Sequence, residues 1–321
     1  MKEKNWSVSN HYDGRRFHNP NPRRQGFRSF MRWMATRDQG PWQQHATNPP
    51  APAPPARAED LRVTWVGHST TLIQMNGINI LTDPVWSERA SPFSRVGPTR
   101  RSNPGIGFED LPHIDVVLIS HDHYDHMDAS TLRRLARDHK PTFVTGLGNG
   151  ERLRGFGIGN AVERDWWKSQ QLFRDFTVTI VPAEHFSGRG LFDHGETLWC
   201  GFVLTGQAGH VYFAGDTGYS PHFREIEERF RPIRAALLPI GAFRPEWFMG
   251  EVHETPMEAF EAHRELGART SVAIHFATFP LGDDGQFEAA ERLREIISRS
   301  ELGKTEFFVP DFGEGRDIPP L

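Results

Sequence analysis

The chain has 321 residues, a formal net charge of −4 at pH 7, and 37% hydrophobic and 24% charged residues. That balance fits a globular protein with a sizeable core, and no apolar run approaches the ~18 consecutive residues a spanning helix needs. The single cysteine, Cys200, excludes an internal disulfide and a thiolate metal cluster. A charge this close to neutral gives no general affinity for nucleic acid, and the first ten residues lack the apolar stretch of a secretory leader, so a cytoplasmic location is expected.

Residues 1–56 read as an N-terminal arm and Pro-rich linker. Within residues 14–37 lie Arg15, Arg16, Arg23, Arg24, Arg28, Arg32 and Arg37 and no acidic residue. Phe27, Phe30, Met31 and Met34 recur at helical spacing, which predicts a short helix with one apolar face. The prolines of residues 48–56 favour extended polyproline conformation. A basic, aromatic segment that also holds Trp33 fits peripheral contact with an anionic membrane through residues 14–37; the alternative is an arm that wraps its own acidic domain.

From residue 57 the texture changes. Residues 61–66, 71–75 and 78–81 read as strands, and Asn76-Gly77 tolerates positive φ at both central positions of a two-residue hairpin. Further β-type runs fall at 114–120, 142–145, 176–182, 198–204, 210–214, 235–240, 271–275 and 306–309. Helical patterns occupy 129–138 with Asp128 as N-cap, 221–230, 256–266 capped by Thr255, and 286–298. The glycine-rich run 146–150 lacks the lysine of a phosphate-cradling loop and reads as a turn between strand and helix. Strands alternating with helices, without an internal repeat, predict an α/β domain over residues 57–321: a two-sheet core with helices outside.

Histidine is unusually frequent, at sixteen. Its densest cluster, His121-Asp122-His123-Tyr124-Asp125-His126, directly follows the apolar run 116–120. A buried strand ending in three imidazoles and a carboxylate delivers several donors to one point, which is what a divalent metal needs. Imidazole and carboxylate without thiolate suit Zn first, then Fe or Mn. His185, Asp216 and His275 show the same placement at the ends of later apolar runs.

The pattern His-x-His-x-Asp-His, followed by isolated His, Asp and His at strand ends, resembles the metallo-β-lactamase superfamily. The stretches 80–85 (Ile-Leu-Thr-Asp-Pro-Val), 87–92, 213–219 (Phe-Ala-Gly-Asp-Thr-Gly-Tyr), 238–242 and 247–249 resemble its N-acylphosphatidylethanolamine-hydrolysing phospholipase D branch. The resemblance covers about residues 61–311 and implies an αβ/βα four-layer sandwich with a dinuclear site at one sheet edge. It implies one metal held by His121, His123 and His185, and a second by Asp125, His126 and His275, with Asp216 bridging. Asp83 is expected to orient a ligand imidazole, and His253 is either a substrate-side contact or an ordinary loop histidine. His68 is either a supporting residue of the site or ordinary packing.

These expectations describe a zinc-dependent hydrolase in which hydroxide bridging two divalent ions attacks a phosphodiester, with Asp125, Asp216 and His253 as its catalytic side chains. The expected substrate is an N-acylphosphatidylethanolamine-type phospholipid, which places the protein in lipid metabolism. A lactonase, a thioesterase or a soluble phosphodiesterase would use the same site. A non-catalytic metal-stabilised binding protein is the alternative of another class, although a structural zinc needs only four ligands. An electron-transfer di-iron protein fits less well, because iron-using relatives commonly carry an acidic residue where His123 stands. Tyr219, Phe243, Trp247, Phe248, Phe276 and Phe279 are candidates to line an apolar channel, with core packing as the alternative. The sequence carries no signal for oligomeric state.

Overall fold

The computed structural model describes residues 6–20, 26–44, 48, 51–93, 95–190, 192–302 and 305–321. Arg23, Arg24 and the side chain of Phe27 lie outside the described residues, as do Pro49 and Pro50 of the linker.

Two seven-stranded sheets face one another. The first contains β1 (Leu61–Gly67), β2 (Thr70–Met75), β3 (Ile78–Thr82), β4 (Val116–Ile119), β5 (Thr142–Gly146) and β6 (Ala161–Arg164), in that spatial order, with β14 (Gly315–Asp317) outside β1. The second runs in space from β7 (Ser169–Phe173) through β8 (Phe176–Val181), β9 (Gly201–Gly206), β10 (Gly209–Phe213), β11 (Ile233–Pro239) and β12 (Thr270–Ile274) to β13 (Glu306–Phe308). The helices are α1 (Phe27–Ala35), α2 (Ala129–Asp138), α3 (Asn149–Gly155), α4 (His222–Phe230), α5 (Glu246–Met249), α6 (Pro256–Leu266) and α7 (Glu288–Ser298). This is the sandwich that the resemblance implies.

Strand β4 shows why the sequence chooses it. Successive side chains of a strand point to opposite faces, so Val116 and Leu118 enter the core between the sheets, while Val117 and Ile119 pack with Leu132 and Leu135 of α2. All four are fully buried, which anchors the chain immediately before His121. The Asn76-Gly77 hairpin forms as expected, with φ of 54° and 71°. Asp128 accepts from Ser130 N, and Thr255 forms a reciprocal capping box with Glu258. The glycine-rich run connects β5 to α3, with Gly148 at φ 89°.

The helix expected after the 146–150 turn is α3, while local reading missed the short elements β6, β7, β14 and α5. Each is held by a neighbour more than by its own pattern: β6 pairs in parallel with β5, and β14 pairs with β1. The described parts of residues 1–56 pack onto the sandwich. Tyr12 and Phe17 belong to the inter-sheet core cluster, His11 Nε2 lies 2.8 Å from Asp165 Oδ1, and Trp33 of α1 is buried. No helix among the described residues is long and apolar enough to cross a membrane.

Candidate metal centre

The candidate side chains leave one edge of the sandwich. His121 follows β4, His185 lies a short loop after β8, Asp216 follows β10 and His275 directly follows β12. Gly215, at φ 65°, turns the chain into Asp216; a Cβ there would meet Ser120 Cβ at 2.6 Å. His68, Asp83 and His275 adopt φ of 55°, 33° and 59°, an unfavourable region for such residues that is held here by the packed surroundings.

Two sets of donor atoms result. In the first, His121 Nε2 lies 2.8 Å from His123 Nδ1, and His185 Nε2 lies 3.3 Å from that same atom. In the second, Asp125 Oδ2 is 3.2 Å from His126 Nε2 and 3.6 Å from His275 Nε2. Asp216 stands between them, its Oδ2 3.1 Å from both His126 Nε2 and His275 Nε2 and 3.8 Å from His185 Nε2. His253 Nδ1 is 4.0 Å from the same oxygen. All seven side chains expected as ligands, and His253, therefore converge on one locus.

The surroundings fix which ring nitrogen faces the centre. His126 Nδ1 lies 2.7 Å from Asp83 Oδ2, and His185 Nδ1 lies 2.9 Å from the Val252 carbonyl oxygen. His121 Nδ1 lies 2.9 Å from Ser120 Oγ, whose own proton goes to Asp83 Oδ2 at 2.5 Å. With the outward nitrogen of each ring committed, Nε2 is the atom aimed at the centre, free to bind a cation once it carries no proton. His123 Nδ1, 2.8 Å from His121 Nε2, can donate its proton to that atom or share a cation with it. His126 Nε2, His275 Nε2 and Asp216 Oδ1 are buried without a hydrogen-bond partner among the described residues; the short approaches to Asp216 are not aligned as hydrogen bonds. Such a donor set fits divalent cations.

The buried carboxylates and imidazoles perturb one another strongly. Burial alone would raise the carboxyls of Asp125 and Asp216, but His126 and His275 outweigh it and hold both well below the carboxylate range. The same pairing lifts His126 well above its ordinary value and His275 to about 9, against the effect of burial. Burial pushes His121 and His185 well down and His253 down to about 4.

Asp83 accepts from Ser120 N at 2.7 Å as well as from Ser120 Oγ and the His126 ring, so its placement matches the orienting role expected of it. His68, left open by sequence, sits with Nε2 2.8 Å from Asp125 Oδ2. A cavity of about 820 Å³ opens from the cluster, with His123, Asp125, His185, Asp216 and His253 at its inner end. Among the six aromatics considered for a channel, only Phe248 lines it. Phe243 and Phe276 are core residues, Phe279 packs with Val85 and Ala90, Tyr219 bonds Glu265, and Trp247 is exposed. Sequence reading missed the arm's share of the walls, including Arg16, Asn19 and Trp33. The excess of aromatic and basic residues there was the available signal.

Residues 78–276 match the family model described as "Beta-lactamase superfamily domain". Over 266 residues the chain is 38% identical to N-acyl-phosphatidylethanolamine-hydrolyzing phospholipase D 1 of Caenorhabditis elegans, covering 79% of this chain and 75% of that protein. It is 30% identical to a UPF0173 metal-dependent hydrolase of Methanopyrus kandleri, covering 74% and 93%. The structure of Igni18, a metallo hydrolase from Ignicoccus hospitalis, superposes with a TM-score of 0.59 at 23% identity, covering 81% of this chain and 99% of that one. With this fold, this edge-mounted donor cluster and these similarities, the chain belongs to the metallo-β-lactamase superfamily of metal-dependent hydrolases, alongside its N-acylphosphatidylethanolamine-hydrolysing phospholipase D relatives.

Proposed function

We propose that the protein is a dinuclear zinc phosphodiesterase of phospholipase D type acting on an N-acylphosphatidylethanolamine-type lipid, with residues 57–321 as the hydrolase domain and residues 1–56 as its arm. The observation that carries the dinuclear reading is Asp216: one carboxylate within 3.1 Å of His126 and His275 and 3.8 Å of His185 is placed to serve both donor sets. His121, His123 and His185 would hold one ion, and Asp125, His126 and His275 the other. Two bound divalent cations supply Lewis acidity, activating water at neutral pH and offsetting negative charge on the reacting group.

The chain's own residues do the positioning. Asp83 and Ser120 fix the rings of His126 and His121, and His68 fixes Asp125. Asp125 and Asp216 would offset the positive charge of bound cations. His253, a neutral imidazole at the cavity's inner end, offers a hydrogen bond to a substrate oxygen. The phospholipid reading is supported by the Caenorhabditis elegans relative and by a cavity with apolar walls.

Membrane contact is part of the proposal. Phe30, Met31 and Met34 of α1 are 41%, 50% and 47% exposed, next to Arg28 and Arg32, and α1 packs against α5, where Trp247 is 42% exposed. A basic rim around apolar side chains suits an anionic bilayer surface.

Elemental analysis joined to a substrate panel tests the function. About two zinc ions per chain and release of phosphatidic acid from an N-acylphosphatidylethanolamine are expected. Turnover confined to lactones or thioesters refutes the phosphodiester reading. Co-sedimentation with anionic liposomes tests the membrane contact, and equal non-binding of the wild type and an Arg28→Glu, Arg32→Glu variant refutes it.

A further inference from the structure

The arm lies outside the stretch that matches the superfamily model, residues 78–276, yet it builds a large part of the cavity wall above the donor cluster. Two stretches of it line the cavity. Residues 13–19 contribute Asp13, Arg16, Phe17, His18 and Asn19, mostly polar. They are fixed there by Asn19 Nδ2 donating to the His185 carbonyl at 2.9 Å and by Arg16 Nη2 donating to the Phe192 carbonyl at 2.9 Å. Helix α1 brings Phe30 and Trp33, which line the cavity together with Phe248, Met249 and Leu281.

The α1 wall is rigid. Trp33 stacks on Phe248 with centroids 5.0 Å apart, donates from Nε1 to Asp283 Oδ2 at 3.1 Å, and lies under the Arg37 guanidinium at 4.9 Å. Phe30 packs edge-on to Trp33 at 6.0 Å and remains 41% exposed, a large ring directed at open space instead of the core. A fixed aromatic surface continuous with the donor cluster is built to hold an apolar group attached to whatever reacts there.

We propose that α1 is the chain-length selector of this hydrolase: Phe30 and Trp33 seat the alkyl or acyl chain of the substrate. This rests on the reading of the cluster as a hydrolytic site, but not on which electrophile it attacks. The shared αβ/βα frame supplies the chemistry, and the arm decides which esters reach it.

The test compares full-length wild type with Phe30→Ala and Trp33→Leu on two substrate pairs: methyl against decyl p-nitrophenyl phosphate, and butanoyl against dodecanoyl homoserine lactone. Calorimetric binding of methyl and decyl phosphate gives a readout independent of turnover. The long-to-short ratio of kcat/KM, and the corresponding ratio of affinities, should fall roughly tenfold in each variant, as expected when part of an aromatic–alkyl contact is lost. Phe30→Ala removes an exposed ring and so reports even if Trp33→Leu loosens the arm. Ratios within twofold of wild type in both variants, including equal losses on long and short compounds, overturn the proposal. Turnover of the lactones alone refutes the phosphodiester reading, and the lactone pair then decides the selector role by the same ratio.

Discussion

His68 Nε2 lies 2.8 Å from Asp125 Oδ2, and the two residues, from widely separated parts of the chain, are both buried at the donor cluster. His68 holds φ 55° to make that contact, and its backbone carbonyl accepts from His275 N at 2.9 Å. One strained residue thus braces two members of the second donor set.

His68→Asn keeps a side chain that tolerates positive φ but is too short to reach Asp125. Zinc affinity or kcat should fall roughly 10–100-fold, the usual effect of removing a partner that orients a ligand. Competition titration with a zinc-binding dye and steady-state kinetics measure the two effects, with circular dichroism unchanged.

Asp216→Asn retains the shape but removes the charge that the proposed pair of cations would need between them. Metal content should drop from about two ions per chain to about one or fewer, and turnover by at least about 100-fold. Chelation of the wild type should abolish activity, and zinc should restore it. Elemental analysis with activity assays of the same samples checks both outcomes.

Glu254 is buried, and neither carboxyl oxygen has a hydrogen-bond partner among the described residues. Burial, then the charge of Glu258, raises its carboxyl well above the ordinary value. With the folded value above the unfolded one, the folded state binds the extra proton, so the stability that protonated Glu254 contributes is fully present below the unfolded value near about 4.3 and is lost as pH rises through the folded value. Glu254→Gln, uncharged throughout, should gain Tm over wild type as pH increases, by roughly 2–4 °C for each kcal/mol removed. Thermal melts of both proteins across pH 4 to 9 test this; a constant Tm difference would count against it.

Asp283 ties the arm to the domain. Its carboxylate accepts from Trp33 Nε1 at 3.1 Å, Arg37 Nε at 2.9 Å and Asp38 N at 3.3 Å. Asp283→Ala should weaken local docking by about 1–3 kcal/mol, since the buried Trp33 indole N–H is left unpaired. Limited proteolysis within residues 26–44 should then accelerate roughly 5-fold or more, while the global melting transition moves far less.

The sequence by itself supplied nearly all the donor types of the candidate metal centre. Strand β4 was legible because four apolar residues must be buried on both faces, and the segment 121–126 just after it carries four donor-type side chains, His121, His123, Asp125 and His126. The hairpin at Asn76-Gly77 and the caps at Asp128 and Thr255 were equally local, because backbone sterics and one or two hydrogen bonds decide them. Convergence was not local. That Asp216 reaches both donor sets, that His68 braces Asp125, and that Trp33 walls the cavity depend on how two sheets pack and where an arm outside the core lies down. Elements such as β6 and β14 exist because a neighbouring strand offers unpaired backbone groups. No periodicity within either segment announces them. Residue type fixes what a side chain can bind, but only the closed sandwich sets the few-ångström separations on which a shared carboxylate and a shaped cavity depend.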